Sequence, residues 1–357
     1  MPFENEISDL TNLYKKLHLA KKVVIVDGMI GGGKNLISSI VSSLPRVEMW
    51  LHKPKIEQIC ILHYYGHISL EAAKTLIKVW IDEEIFNQSI SRDTNFKPSD
   101  HSSVFHDSKP LRYFKRLFRS LSEGEKTIKK EMPTLNLMTH VNTSYAKPLF
   151  EALEERLIYI KIARHPMSTY MIKHNINWIK KWESNGRFGN LIYKTLDNNS
   201  KQIHLPLYAK KIEKEYLKAN YADKAILLLD QWIRNDDSFI DEIKKTTKAQ
   251  IYEIPYEKFV FEPLKYINEI SKSLEVKVDK TTLKKMSKER VPRASLTDAP
   301  NYSAYSKIGW VKPKKNTSLS ENFVEGRLFV ANLATQKGLE LLDKLAEYYE
   351  TRHSIAK

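Results

Sequence analysis

Val23-Val24-Ile25-Val26-Asp27-Gly28-Met29-Ile30-Gly31-Gly32-Gly33-Lys34-Asn35 joins three signals in one short run. An apolar, β-branched stretch predicts a buried strand. A glycine-rich turn follows, and a lysine then opens a helix whose Leu36, Ile37, Ile40, Val41 and Leu44 share one face. The spacing Gly28-x-x-x-x-Gly33-Lys34 is that of a phosphate-binding loop, with Asn35 where a serine or threonine is expected. Glycines let successive backbone N–H groups turn toward one anion, and the helix N-terminus adds its dipole. In nucleoside-triphosphate enzymes the missing hydroxyl ligates Mg²⁺, and an amide oxygen is a poor replacement. The loop therefore suits a phosphate that needs no metal; the plainer alternative is a glycine turn that only redirects the chain.

Outward from this run, helix-like and strand-like segments alternate, which predicts an α/β fold with a central, mostly parallel sheet flanked by helices. Strands are expected at Lys22–Val26, Leu135–Thr139, Leu157–Ala163 and Gln250–Ile254. Helices are expected at Lys34–Leu44, Tyr145–Glu154, Pro166–Trp182, Pro263–Leu274 and Leu339–Thr351, and the charged, periodic stretch Leu205–Lys245 also reads as helical. Length and pattern suit a single domain over residues 1–357, with an insertion after the first strand–helix unit at about 50–133 and a C-terminal region at about 290–357. Inside the insertion, Leu70–Phe86 reads as a helix and Asn87–Lys109 as a loop. In residues 111–121, Leu111, Phe114, Leu117, Phe118 and Leu121 alternate with Arg112, Lys115, Arg116 and Arg119, predicting a basic amphipathic helix. It could be a lid, an acceptor-binding wall, a contact for an anionic surface, or an ordinary core helix.

The chain has 357 residues and a formal net charge of +15, which favours anionic partners or simply keeps a lysine-rich surface soluble. Cys60 is the single cysteine, excluding intrachain disulfides and cysteine metal clusters. No run is long enough to cross a bilayer, and Met1 to Ala20 has no signal-peptide apolar core, so a cytoplasmic location is expected.

Two further strand ends carry functional side chains. Arg164 follows the apolar strand Leu157–Ala163, and His140 follows Leu135–Thr139. Ligands of open α/β sheets bind beyond the carboxyl ends of the strands, so both could meet the glycine loop in one crevice. Arg164 could hold a phosphate through a bidentate contact, or be a surface ion pair. His140 could be a general base, or a structural histidine satisfied by backbone.

Four features together resemble the sulfotransferases that use 3′-phosphoadenosine 5′-phosphosulfate. Gly28–Leu36 looks like their 5′-phosphosulfate loop. Thr139-His140 resembles the Thr-His of the cytosolic branch, whose histidine is the catalytic base. Arg164-His165-Pro166 resembles the Arg-x-Pro that contacts the 3′-phosphate. Pro255-Tyr256-Glu257-Lys258-Phe259-Val260-Phe261-Glu262-Pro263 resembles the segment after a late strand of that family. The resemblance spans about Lys22 to Leu274. It implies a P-loop sulfotransferase-like fold and a sulfonate donor held by Gly31, Gly32, Gly33, Lys34, Asn35, Leu36 and Arg164. It also implies a cofactor-covering loop, with Lys307 and Gly309 of Ser306-Lys307-Ile308-Gly309-Trp310 as counterparts. The chain departs from the family where a threonine or serine pair would follow the last glycine and where a serine would stand at Ile172; Ser168, Thr169 or Lys173 could supply that second 3′-phosphate contact.

Sulfuryl transfer to a hydroxyl or amine needs a base for the acceptor proton and cationic donors for charge on the leaving phosphate. His140 suits the first role, and Lys34 with the loop N–H groups the second; no metal is expected. The acceptor is open among small molecules such as phenols, glycans, lipids and peptide tyrosines. Two other readings stay in play. A P-loop kinase or nucleotidase using Mg²⁺-ATP would need Asp230, in Ala225-Ile226-Leu227-Leu228-Leu229-Asp230, to be a strand-end carboxylate. A non-catalytic nucleotide- or polyanion-binding protein would use only the charge. His63 and His67 have helical metal-ligand spacing but lack the metalloprotease glutamate.

Overall fold

A computed structural model describes residues 18–185, 191–196, 200, 202–296, 298–299 and 317–355. Five parallel strands form the centre: β1 (Val23–Gly28), β2 (Leu51–His52), β3 (Leu135–Met138), β4 (Leu157–Ala163) and β7 (Gln250–Pro255). Their order is β2-β3-β1-β4-β7. A separate antiparallel hairpin joins β5 (Ile192–Leu196) to β6 (Gln202–Pro206). The registers Val26↔Met138, Gly28↔Ile162 and Ala163↔Pro255 bring the carboxyl ends of β3, β1, β4 and β7 to one edge. Motifs far apart in sequence therefore leave the sheet side by side.

Strand side chains alternate between two apolar layers, as a pleat requires. Val24, Val26, Ile158, Ile160 and Ile254 face Ile37, Ile40 and Val41 of α1 (Lys34–Ser43) and Ile267 and Ile270 of a later helix, Pro263–Ser273. Val23, Ile25, Leu135, Leu137 and Tyr159 lie in the other layer. That layer includes Ile77, Ile81 and Ile85 of the insertion and Leu228, Leu229 and Trp232 of a long helix, Tyr221–Ile243. Strands buried on both faces read as continuous apolar runs, which is why β1 and β4 are plain in the sequence.

The insertion begins with β2 and carries α2 (Pro54–Tyr64) and α3 (Leu70–Ser89). Its basic segment differs from expectation. No single helix covers residues 111–121: α4 (Pro110–Arg116) ends, and Ser120 with Glu123 forms a capping box that starts α5 (Leu121–Glu131). The polarity is also reversed. Arg116 is fully buried and bonds Glu48 at 2.8 Å, and Arg112 bonds the same carboxylate at 3.2 Å. Leu111 and Phe118 are instead 70% and 89% exposed. A buried glutamate outweighs the hydrophobic pattern here, because an ionised carboxylate away from water must be paired. The continuous basic face proposed as an anionic-surface contact is therefore absent: Arg112 and Arg116 serve the interior.

The expected helix over Leu205–Lys245 is likewise subdivided. Leu205 and Pro206 end β6, a 3₁₀ segment covers Leu207–Ile212, and a short helix, Glu213–Lys218, follows. Asn220 then caps the helix Tyr221–Ile243 by accepting from the Ala222 and Asp223 N–H groups. Toward the C-terminus, the helix Leu319–Ala331 packs on the turn after β4: a Cβ added at Gly326 would lie 1.9 Å from Met167 O. The final helix runs Gln336–His353. No helix among the described residues is long and apolar enough to cross a membrane.

Candidate functional site

The glycine loop closes β1 at a place where side chains do not fit. A Cβ at Gly28 would sit 2.4 Å from Ile162 O, and one at Gly33 2.3 Å from the Tyr256 ring, and both glycines have positive φ. Tyr256, the first residue after β7, thus wedges the loop against the sheet edge. Within the loop, Gly32 N–H donates to Met29 O (3.0 Å) and Leu36 N–H to Gly33 O (3.1 Å). The Leu36 N–H, in the first turn of α1, is thereby satisfied by the loop itself.

Lys34 is 4% exposed and folds back over the loop, donating to Gly28 O (2.6 Å) and Met29 O (2.7 Å). Burial lowers its pKa to about 8; Asp27, Glu57 and Asp236 pull the other way. Two loop carbonyls thus hold its ammonium.

Arg164 reaches from the end of β4 across to the same loop. Its Nη1 donates to Gly31 O (2.9 Å) and its Nε to Ser168 Oγ (3.1 Å). The guanidinium carbon lies 4.2 Å from the centre of the Tyr256 ring, and Arg293 donates to the Tyr256 hydroxyl (2.9 Å). Those two cations depress the Tyr256 pKa against the effect of burial. Glu257 ties the neighbouring loops together by accepting from His165 N–H (3.0 Å) and Tyr349 Oη (2.8 Å).

The loop after β3 is fixed by a residue the motif analysis passed over. Asp27, fully buried, accepts from Thr139 Oγ1 (2.8 Å), Thr143 Oγ1 (2.6 Å) and Asn142 N–H (3.0 Å). Val141 N–H also donates to Gly28 O (3.1 Å). His140 is thereby held beside the glycine loop. Its backbone N–H donates to Glu57 Oε1 (2.8 Å), and its Nδ1 lies 3.4 Å from that oxygen and 3.0 Å from His52 Nε2. Burial first, and then the Lys34 ammonium, holds the His140 imidazole well below its ordinary pKa. Glu57 sits low in turn, because bonds and charge from His140 and His52 outweigh its burial.

The structure thus brings Lys34, the glycines, Arg164, Ser168 and His140 to one sheet edge. Ile172 is fully buried in the core, whereas Ser168 bonds Arg164 directly. Lys307 and Gly309 lie outside the described residues. Asp230 belongs to the helix Tyr221–Ile243 and pairs with Arg234 at 2.7 Å; it is not a strand-end acid. His63 Nδ1 contacts Ile68 O at 3.2 Å, so that ring serves a turn. Sequence reasoning missed His52, Glu57 and Asp27. For Asp27 there was a signal, a lone acid closing an apolar strand; for the other two there was none.

No family model matches the chain, and no curated relative matches it. Among solved structures it aligns with sulfotransferases at low identity. Sulfotransferase STF9 from Mycobacterium avium shares 12% identity with a TM-score of 0.41, over 98% of this chain and 79% of that one. The sulfotransferase domain from the curacin biosynthetic pathway shares 11% with a TM-score of 0.40, over 89% and 99%. That from the Synechococcus PCC 7002 olefin synthase shares 12% with a TM-score of 0.39, over 89% and 97%. Likeness at this level assigns neither an activity nor a residue role.

Proposed function

We propose that the chain is a sulfotransferase that moves a sulfonate group from 3′-phosphoadenosine 5′-phosphosulfate to a hydroxyl or amine acceptor. One observation carries the reading. Arg164 bonds Gly31 O at 2.9 Å, so a strand-end cation stands against the glycine loop, while Asp230 lies on a helix away from the strand ends. The two ends of a donor bearing a 5′-phosphosulfate and a 3′-phosphate ask for such a pair of anion sites.

In this reading the loop N–H groups and Lys34 receive the 5′ end, and Arg164 with Ser168 receives the 3′-phosphate. Tyr256 holds Arg164 in position through its ring face. The transfer breaks the S–O bond to the phosphate and forms an S–O bond to a hydroxyl acceptor or an S–N bond to an amine. Lys34 leaves the Gly28 and Met29 carbonyls and neutralises charge growing on the phosphate oxygen. His140 takes the acceptor proton on Nε2, since Glu57 and His52 engage Nδ1. The lowered pKa leaves that imidazole unprotonated before the acceptor arrives. The acceptor is a small molecule, glycan or lipid entering past the insertion, and the protein works in the cytoplasm.

Calorimetry in EDTA tests the reading. Adenosine 3′,5′-bisphosphate should bind more tightly than ADP, with no added metal. In a parallel titration without EDTA, tighter binding of Mg²⁺-ATP than of the bisphosphate would replace the sulfotransferase reading with a kinase.

A further inference from the structure

We propose that His52, Glu57 and His140 form a site for a divalent first-row transition-metal ion, with Zn²⁺ its best match. This goes beyond the sulfotransferase reading, in which the same histidine works as a base and no metal is needed.

The three side chains are delivered by rigid backbone. His52 ends β2, and its register partner is Met138, the last residue of β3, so His52 and His140 leave neighbouring strand ends together. Glu57 stands in the first turn of α2, which begins at Pro54. His52 Nε2, Glu57 Oε1 and His140 Nδ1 form a triangle with sides of 2.9, 3.4 and 3.0 Å. Ligand atoms about 2.0–2.1 Å from a tetrahedral Zn²⁺ lie about 3.3 Å apart. The triangle is already close to one face of that tetrahedron.

Hydrogen bonding alone does not satisfy this triangle. Glu57 as a carboxylate asks for a proton on each imidazole nitrogen. With both present, two N–H groups face each other across the 3.0 Å His52–His140 edge. With either removed, its bare nitrogen faces the carboxylate oxygen instead. At least one edge is unpaired in every such arrangement. A cation bonded to all three atoms satisfies every edge at once.

The donor set is chemically apt, since two imidazoles and one carboxylate are a common catalytic zinc set that leaves a fourth position open. His52 and His140 retain 37% and 32% side-chain exposure, so an ion has an entry path and room for a water or an acceptor group. Glu57 also accepts the His140 backbone N–H at 2.8 Å, which fixes the carboxylate orientation as outer contacts do in metal sites. An ion on Nδ1 leaves the ring proton of neutral His140 on Nε2. Metal occupancy and use of His140 as a base therefore exclude each other.

The test is a Co²⁺ titration of the chelator-treated full chain, read by visible absorption, followed by displacement with Zn²⁺. It uses neither sulfonate donor nor acceptor, so its failure is separate from failure of the sulfotransferase reading. One equivalent should bind with the intense bands of a tetrahedral ion. His52→Ala and Glu57→Gln should each weaken binding by about 100-fold or more, with thermal melting confirming that each variant is folded. Paired substitutions His63→Ala and His67→Ala should leave binding unchanged. Absence of a bound equivalent in the wild type overturns the site. So does equal affinity in a folded Glu57→Gln or His52→Ala variant.

Discussion

Binding of adenosine 3′,5′-bisphosphate should take up a proton, and Lys34 should be its source of demand. In the free protein burial holds this lysine at a pKa of about 8, below its ordinary 10.5. An anion at the loop draws the ammonium from two carbonyls to a phosphate, which favours the charged form. If the bound lysine regains its ordinary value, about half a proton is taken up per ligand at pH 8 and about 0.9 at pH 9. The sign follows from linkage: the complex binds more protons than the free protein, so affinity falls as pH rises through about 8. Between pH 7 and pH 9 the loss should be about tenfold, or about 1.4 kcal/mol. Phosphate monoesters titrate near about pH 6 and are fully ionised here, so the ligand adds no proton of its own. Calorimetry in two buffers of different ionisation enthalpy counts the protons. In Lys34→Arg, whose guanidinium stays charged throughout, uptake should vanish. No uptake in the wild type at pH 9, or the same uptake in Lys34→Arg, would refute the reasoning.

Two other outcomes follow from the same geometry. His140→Ala should lower turnover by about 10²–10⁴-fold while leaving bisphosphate affinity nearly unchanged, because a base acts on the acceptor and not on the phosphates; parallel kinetics and calorimetry separate the two. Asp236, buried beside Asp27, has its carboxyl raised to about 7 by desolvation. The folded state then holds a proton that the unfolded chain has released, so this residue costs stability increasingly as pH rises from about 4 through 7, by at most about 4 kcal/mol. Asp236→Asn keeps an acceptor for Ser144 N–H, which bonds Oδ1 at 2.9 Å. Thermal melts should show the variant gaining on the wild type from pH 4 to pH 8; a constant difference contradicts the assignment.

The parts of this fold that could be read from sequence are those governed by local physics. β1, α1 and β4 announce themselves by apolar runs, glycine spacing and helical periodicity, and the expected Leu157–Ala163 strand is found at those residues. The placement of Arg164 and His140 at the sheet edge is legible because both closely follow apolar strands. Tertiary demands hid the rest. β2 has only the residues Leu51 and His52, too short for any alternation, so the approach of His52 and Glu57 to His140 left no trace in the pattern. Residues 111–121 have helical spacing, yet buried Glu48 pulls Arg112 and Arg116 inward and turns Leu111 and Phe118 out. A sequence window sees which residues could share a face, but not which charge waits beneath it.

The central claim is that one crevice holds both phosphate ends of a sulfonate donor, and a crystal structure with adenosine 3′,5′-bisphosphate tests it most directly. The 5′-phosphate should lie against the N–H groups of residues 31–36, with Lys34 turned onto it from Gly28 O and Met29 O. The 3′-phosphate should bond Arg164 and Ser168, and His140 Nε2 should face open space beside the 5′ end. A nucleotide bound away from Arg164, or with Lys34 still on its carbonyls, would rule this donor site out.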